Sequence, residues 1–211
     1  NQTPALSLIG APVHLNGRMY VMSTNGQINN SDLNSVTAWT LNNYTNANVF
    51  PDGGFGLALH NNTICAFGFR SIEFFADIGN PSGSPLLRLS DKTINIGYSV
   101  LASSVSGNFN YIYQLGNDIY FFGRKGGPAG IYRLQNFEAS KVSNNAIDKI
   151  LNSSESIISG IVGSFISHGL THLLMGSTNS DSDRYVYCID ADTWWTYSPA
   201  ASAFKIGFVV I

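Results

Sequence analysis

Two-residue turn signals recur along this chain at nearly constant intervals, and each one launches the same kind of strand. Asn16-Gly17 leads into "RMYVMS", then Ile28, then "TAWTL"; Asn61-Asn62 leads into "TICAFGF", then "SIEFFAD". Gly116-Asn117 leads into "DIYFFGR", then "GIYRL" and "FEASKV"; His168-Gly169 leads into "THLLMGS", then "RYVYCID" and "TWWTYSP". From Gly17 to Asn62 is 45 residues, from Asn62 to Asn117 is 55, and from Asn117 to Thr171 is 54. A period near 50 with several aromatic-rich strands per repeat is the signature of propeller blades. The expectation is an all-β fold of β-propeller-like, four-stranded blades. A β-sandwich with irregular hairpins is the alternative that the same strands allow.

Strands are predicted over 17–23, 55–60, 63–69, 71–77, 118–123, 130–134, 171–177 and 184–190, from their β-branched and aromatic content and the turn residues that bound them. One helix is predicted over 143–154. Ser143 or Asn144 can cap it, and Ala146, Ile147, Ile150 and Leu151 share a face. The large aromatics Trp39, Phe75, Phe137, Trp194 and Trp195 are expected to pack blade against blade. Residues 1–211 read as a single propeller or propeller segment. The chain opens without methionine and closes on an apparent strand, so both ends read as cuts in a longer polypeptide.

Composition narrows the function. Charged residues are 11% of the 211, against roughly 25% in an ordinary globular chain, and the net charge is −2. With 44% hydrophobic and 12% aromatic residues the chain is no disordered tail. No basic run supplies a surface for nucleic-acid phosphates. No apolar stretch reaches the length of a membrane helix. Cys65 and Cys188 each sit inside an apolar strand and read as buried free thiols, with one long-range disulfide as the alternative.

Candidates for chemistry are few. Most acids lie in turns beside Gly, Ser or Asn. Glu73 is the exception, set between apolar residues in "RSIEFFA", where it is either a carboxyl for acid–base work or a partner for Arg70 or an edge backbone group. "NSDSD" (179–183) alternates oxygen ligands but lacks the glycine and terminal Glu of a calcium loop, and reads as a hairpin tip. His168 and His172 share a strand face without clustering. "GRKGGPAG" (123–130) lacks phosphate-loop spacing and reads as a hairpin turn. No nucleophile elbow is present. "SDLNSVTAW" only echoes the Asp-box of sialidase propellers. The chain is therefore read as no enzyme, with no cofactor and no metal.

The order of these motifs resembles the packaged-DNA stabilisation proteins, or tail hub and nozzle proteins, of short-tailed bacteriophages. "GRMYVMSTNGQINNSDLNSVTAWTLNNYTNANVFPDGG" is similar to that family's opening, with its "SDL…W" loop and Pro51-Asp52 pair. "GLALHNNTICAFGFRSIEFFADIGNP", "GNDIYFFGRKGGPAGIYRLQNFEASKVSNNAIDKIL" and "HGLTHLLMGS…RYVYCIDADTWWTYSP" resemble its later units, so the likeness runs over residues 15–200. It implies a virion component: copies of the chain, six in number, forming a tube that retains packaged DNA and passes it without sequence readout. The implied partners are adaptor or portal-side proteins and tail fibres or spikes, with assembly in the host cytoplasm. The other readings of the same blades are a glycan- or receptor-binding propeller, marked by exposed aromatics such as Tyr44, Phe50 or Tyr197, or a glycan-active enzyme. The latter would need two facing carboxylates about 5 to 9 Å apart.

Overall fold

Four of the expected turns close hairpins of one design. In the computed structural model, which describes residues 7–80, 82–98, 111–153, 158–177, 184–198 and 205–207, each turn joins a first strand to a second through two residues. The flanking pairs are Leu15 with Arg18, His60 with Thr63, Leu115 with Asp118, and Ser167 with Leu170. A two-residue turn matched to strand twist needs positive φ at both positions. Asn16 and Gly17 supply +48° and +76°, and Asn61 and Asn62 supply +47° and +57°. Even His168, at +52°, is held there ahead of Gly169.

Each hairpin begins one antiparallel sheet whose strands follow in chain order. The first sheet is β1 (Leu8–Leu15), β2 (Arg18–Ser23), β3 (Gln27–Asn30) and β4 (Tyr44–Asn46). The second is β5 (Gly54–His60), β6 (Thr63–Gly68), β7 (Ile72–Asp77) and β8 (Leu86–Arg88). In the third, β9 (Gly97–Tyr98) pairs the far end of β11 (Asp118–Arg124), which lies between β10 (Ile112–Leu115) and β12 (Ala129–Gln135), with β13 (Glu138–Lys141) outside. The fourth runs β14 (Ile158–Ser167), β15 (Leu170–Ser177), β16 (Arg184–Cys188), β17 (Thr193–Ser198) and β18 (Lys205–Gly207). The first strands β1, β5, β10 and β14 lie beside one another in that order, so the four sheets stand as successive blades.

The two middle blades are buried on both faces, and this separates a propeller from a two-layer sandwich. Ile64 and Ala66 of β6 and Phe75 of β7 join Tyr20, Met22 and Ile28 in a core between the first and second blades. The alternate residues Cys65, Phe67, Ile72 and Phe74 join Ile119, Phe121 and Leu134 in a core between the second and third. β11 repeats the device. Ile119 and Phe121 face the second blade, whereas Tyr120 and Phe122 join Leu173, Met175, Tyr187 and Trp194 toward the fourth. Hence "TICAFG" reads as an unbroken apolar run and is buried at every position. Its large side chains, Ile64 and Phe67, each contribute about 1.5 to 3 kcal/mol of burial energy.

The helix is shorter than expected. It spans Asn145–Leu151, Asn144 accepts the Ile147 N–H at 3.0 Å as its cap, and Ile147 and Leu151 are buried while Ala146 and Ile150 are half-buried. Asn152 ends it because its side-chain amide bonds both the N–H and the C=O of Ala129 at 2.8 Å, as a neighbouring strand would.

Two other expectations are corrected. "TAWTL" (37–41) is loop, and the outer strand of the first blade is β4 instead. The blade also starts one strand before its turn. β1, β10 and β14, which the pattern did not show as strands, face partly outward; β1 is interrupted by Gly, Ala and Pro, β14 by Gly and Ser, and β10 is only four residues long. Among the described residues no helix is long and apolar enough to cross a membrane.

Candidate functional site

Glu73, the carboxyl that looked chemical in the sequence, is tied into a joint between blades. Glu73 is 2% exposed on β7. One carboxylate oxygen accepts the Val49 N–H at 2.8 Å, and the other meets Arg88 Nε at 2.7 Å; its partner is Arg88, not Arg70. Arg88 also donates to the Asn46 carbonyl and to Asn48 Oδ1, both at 2.6 Å. The pair thus clasps the crossing from the first blade to the second. Burial pushes the Glu73 carboxyl above its ordinary value, against the Val49 and Asn48 amides and the Arg88 charge, which pull it down.

His60 makes the corresponding joint between the second and third blades. It is fully buried, with Nδ1 2.7 Å from the Asn117 carbonyl and Nε2 3.1 Å from the Phe137 amide nitrogen. A carbonyl only accepts and an amide N–H only donates, so the imidazole is neutral with its proton on Nδ1. The turn residues Asn61 and Asn117 bond each other beside it. His14 and His168 are exposed, and His172 is buried in a stack on Phe165 with ring centres 5.0 Å apart. Asp118 holds Arg133 at 2.5 Å, and Asp148 binds Lys141 and the Ser143 hydroxyl. Among the described residues no three His, Cys, Asp or Glu side chains gather as a metal site. "NSDSD" lies outside the described residues, and Arg124 to Pro128 form an exposed hairpin tip. Cys65 and Cys188 are both buried and free.

The five large aromatics divide. Phe75 is buried between the first and second blades. Phe137 sits between the second and third, edge-on to His60 and Phe74 at 5.1 Å each. Trp194 packs on Tyr187 at 5.0 Å and donates its indole N–H to the Val142 carbonyl at 2.8 Å. Trp195, half-buried, turns to the other side of the same blade and meets His172 edge-on at 6.5 Å. Trp39 lies apart from these cores. It is 41% exposed on the loop between β3 and β4, with its indole N–H given to the Val36 carbonyl at 3.1 Å.

That loop is the most conspicuous surface feature. It bonds to itself: the Asp32 N–H reaches the Ala38 carbonyl, and Ser35 Oγ accepts the Ala38 N–H, both at 2.9 Å. Asp32 Oδ1 accepts the Thr40 hydroxyl at 2.8 Å and the Asn43 amide at 3.3 Å. So fixed, the loop presents Leu33, Val36 and Leu41 to solvent, at 59%, 69% and 65% exposure. Beside it opens a cleft of about 480 Å³, bounded by Arg18 on β2, the loop's Asp32, Thr40, Asn42 and Asn43, and Ser82 from the second blade's outer turn. The sequence signalled this loop only through the "SDL…W" motif. The cleft's convergence needs a turn from another blade, which no local pattern reveals.

Comparison with known proteins places the blades. The family model described as "Bacteriophage P22 Gp10, beta-propeller" matches residues 2–175. The chain belongs to the bacteriophage P22 Gp10 β-propeller family. Membership of the P22 Gp10 family assigns the chain a structural role in phage, as a virion component. No curated protein matches the sequence. Among solved structures, BamB from Moraxella catarrhalis is similar at 9% identity and a TM-score of 0.49, over 89% of this chain and 51% of BamB. The N-terminal domain of Nup159 is similar at 12% identity and a TM-score of 0.37, over 94% of this chain and 47% of that one. The chain spans about half the length of each.

Proposed function

We propose that the chain is part of the tail hub, or nozzle, of a short-tailed phage, where copies assemble with six-fold symmetry into a tube below the portal. The tube retains the packaged genome, carries fibres or spikes outside, and opens on infection. The observation that carries this reading is the family match over residues 2–175. The use of Glu73, His60, Asp118 and Asp148 in joints between or within blades supports a structural part rather than a catalyst. A net charge of −2 suits a conduit through which DNA slides, since a strongly basic lining would hold phosphate and slow it. Assembly takes place in the host cytoplasm, onto adaptor or portal-side proteins.

The test is a phage in which the gene is interrupted by an amber codon. Particles grown without suppression should package DNA and then lose it to nuclease, and electron microscopy should show capsids lacking the tail tube. Tailed particles that keep their genome would overturn the proposal.

A further inference from the structure

We infer that the cleft beside the Ser31–Asn43 loop is a saccharide-binding site. Its volume, about 480 Å³, suits one or two sugar rings. Its polar lining is a guanidinium, a carboxylate, two hydroxyls and two side-chain amides, from Arg18, Asp32, Thr40, Ser82, Asn42 and Asn43. A sugar hydroxyl both donates and accepts, so it is matched by a lining that mixes donors with acceptors. One positive and one negative group leave the cleft without net charge, which favours a neutral ligand over phosphate or nucleic acid. Among the described residues no ion pair joins Arg18 to Asp32, so neither charge is neutralised by the other. Leu33 and Leu41 also line the cleft and are mostly exposed, giving apolar surface for the C–H face of a pyranose.

The site is also set before any ligand arrives. The Thr40 hydroxyl and Asn43 amide hold one Asp32 oxygen, and Arg18 Nη1 donates to the Ser31 carbonyl at 2.9 Å. Binding therefore orders few side chains, which lowers its entropic cost. Its two walls come from different blades, so the blade joint made by Glu73 and Arg88 keeps them in register. This inference goes beyond the tail-hub reading and stands or falls apart from it.

The experiment is saturation-transfer difference NMR on the 211-residue chain, with glucose, galactose, mannose and N-acetylglucosamine each at millimolar concentration. Saturation should pass to the ring protons of at least one sugar. Arg18→Gln and Ser82→Trp, the second filling the cleft from an exposed turn, should each reduce that transfer several-fold, and Ser82→Trp should do so without altering the thermal melt. Should Arg18→Gln fail to fold, Ser82→Trp decides alone. Transfer to none of the sugars, or transfer that survives Ser82→Trp, would overturn the inference, as would inorganic phosphate displacing the sugar.

Discussion

The backbone N–H of Phe137 donates to Nε2 of His60 across 3.1 Å, joining a turn of the third blade to the first hairpin of the second. Phe137 is placed to do so by a positive φ of 62°, following Asn136 at 51°. The joint needs a side chain that accepts on one end and donates on the other. His60→Ala leaves the Asn117 carbonyl and the Phe137 amide without their partner, at about 1 to 3 kcal/mol each. The expected loss is about 3 kcal/mol in urea unfolding. A loss below about 1 kcal/mol would mean that the joint carries little of the fold.

Glu73 gives the native state a pH signature. Its carboxyl sits above the ordinary value of 4.5 because burial disfavours the charge. The folded chain then holds this proton at pH values where the unfolded chain has released it. Stability contributed by the protonated carboxyl is fully present below the unfolded value and is lost as pH rises through the folded one. Between those two values, urea midpoints should fall with rising pH, and Glu73→Gln should flatten that slope. A slope unchanged in Glu73→Gln would assign it to another group.

Which parts of this were legible in the sequence follows from the physics of each element. The strands β6, β7, β11 and β12 are buried on both faces, so they had to be apolar and aromatic, and they stood out. Their turns stood out because positive φ demands Asn or Gly. The first strands β1 and β14 face partly outward, are interrupted by Gly and Pro or Ser, and gave no such pattern. "TAWTL" has strand composition, yet Ser35 and Asp32 bond its backbone locally and draw it into a loop. Glu73 was recognisable as unusual, but its partner Arg88 lies 15 residues on, at the edge of the same sheet, and pairing of that kind is fixed by topology alone.

The adjacent tryptophans should separate by stability. Trp194 fills the core between the third and fourth blades and bonds Val142, whereas Trp195 is half-buried on the opposite face. Trp194→Ala should cost about 3 to 5 kcal/mol, the range for a large aromatic removed from a core. Trp195→Ala should cost less than half as much. Equal losses in thermal unfolding would place both rings in equivalent packing.

The thiols should be silent in the native state. Cys65 is fully buried, and burial pushes its thiol well above the ordinary value, so almost no thiolate is present for reaction. Cys188 is equally buried and unpaired. A disulfide-exchange reagent should label neither in the folded chain and both in guanidinium chloride. Reductant should leave the melting temperature unchanged.

At Gly97 the fold admits no side chain. It begins β9, which pairs the end of β11, and it lies against the turn that follows β6. A Cβ there would fall on the backbone of Phe69 and Arg70, well inside contact distance, and backbone cannot swing aside as a flexible side chain can. Tyr98 follows directly and stacks on Phe55 of β5, so any shift of β9 also disturbs the joint between the second and third blades. Gly97→Ala should therefore cost more than the 1 to 3 kcal/mol usual for overpacking and reduce soluble yield at physiological temperature. By contrast, Gly127→Ala, at the exposed β11–β12 tip, meets no side chain and lacks a positive φ. It should leave the melting temperature within about 2 °C. Comparable melts for the two variants would show that β9 can leave the third blade without loss of the core beneath it.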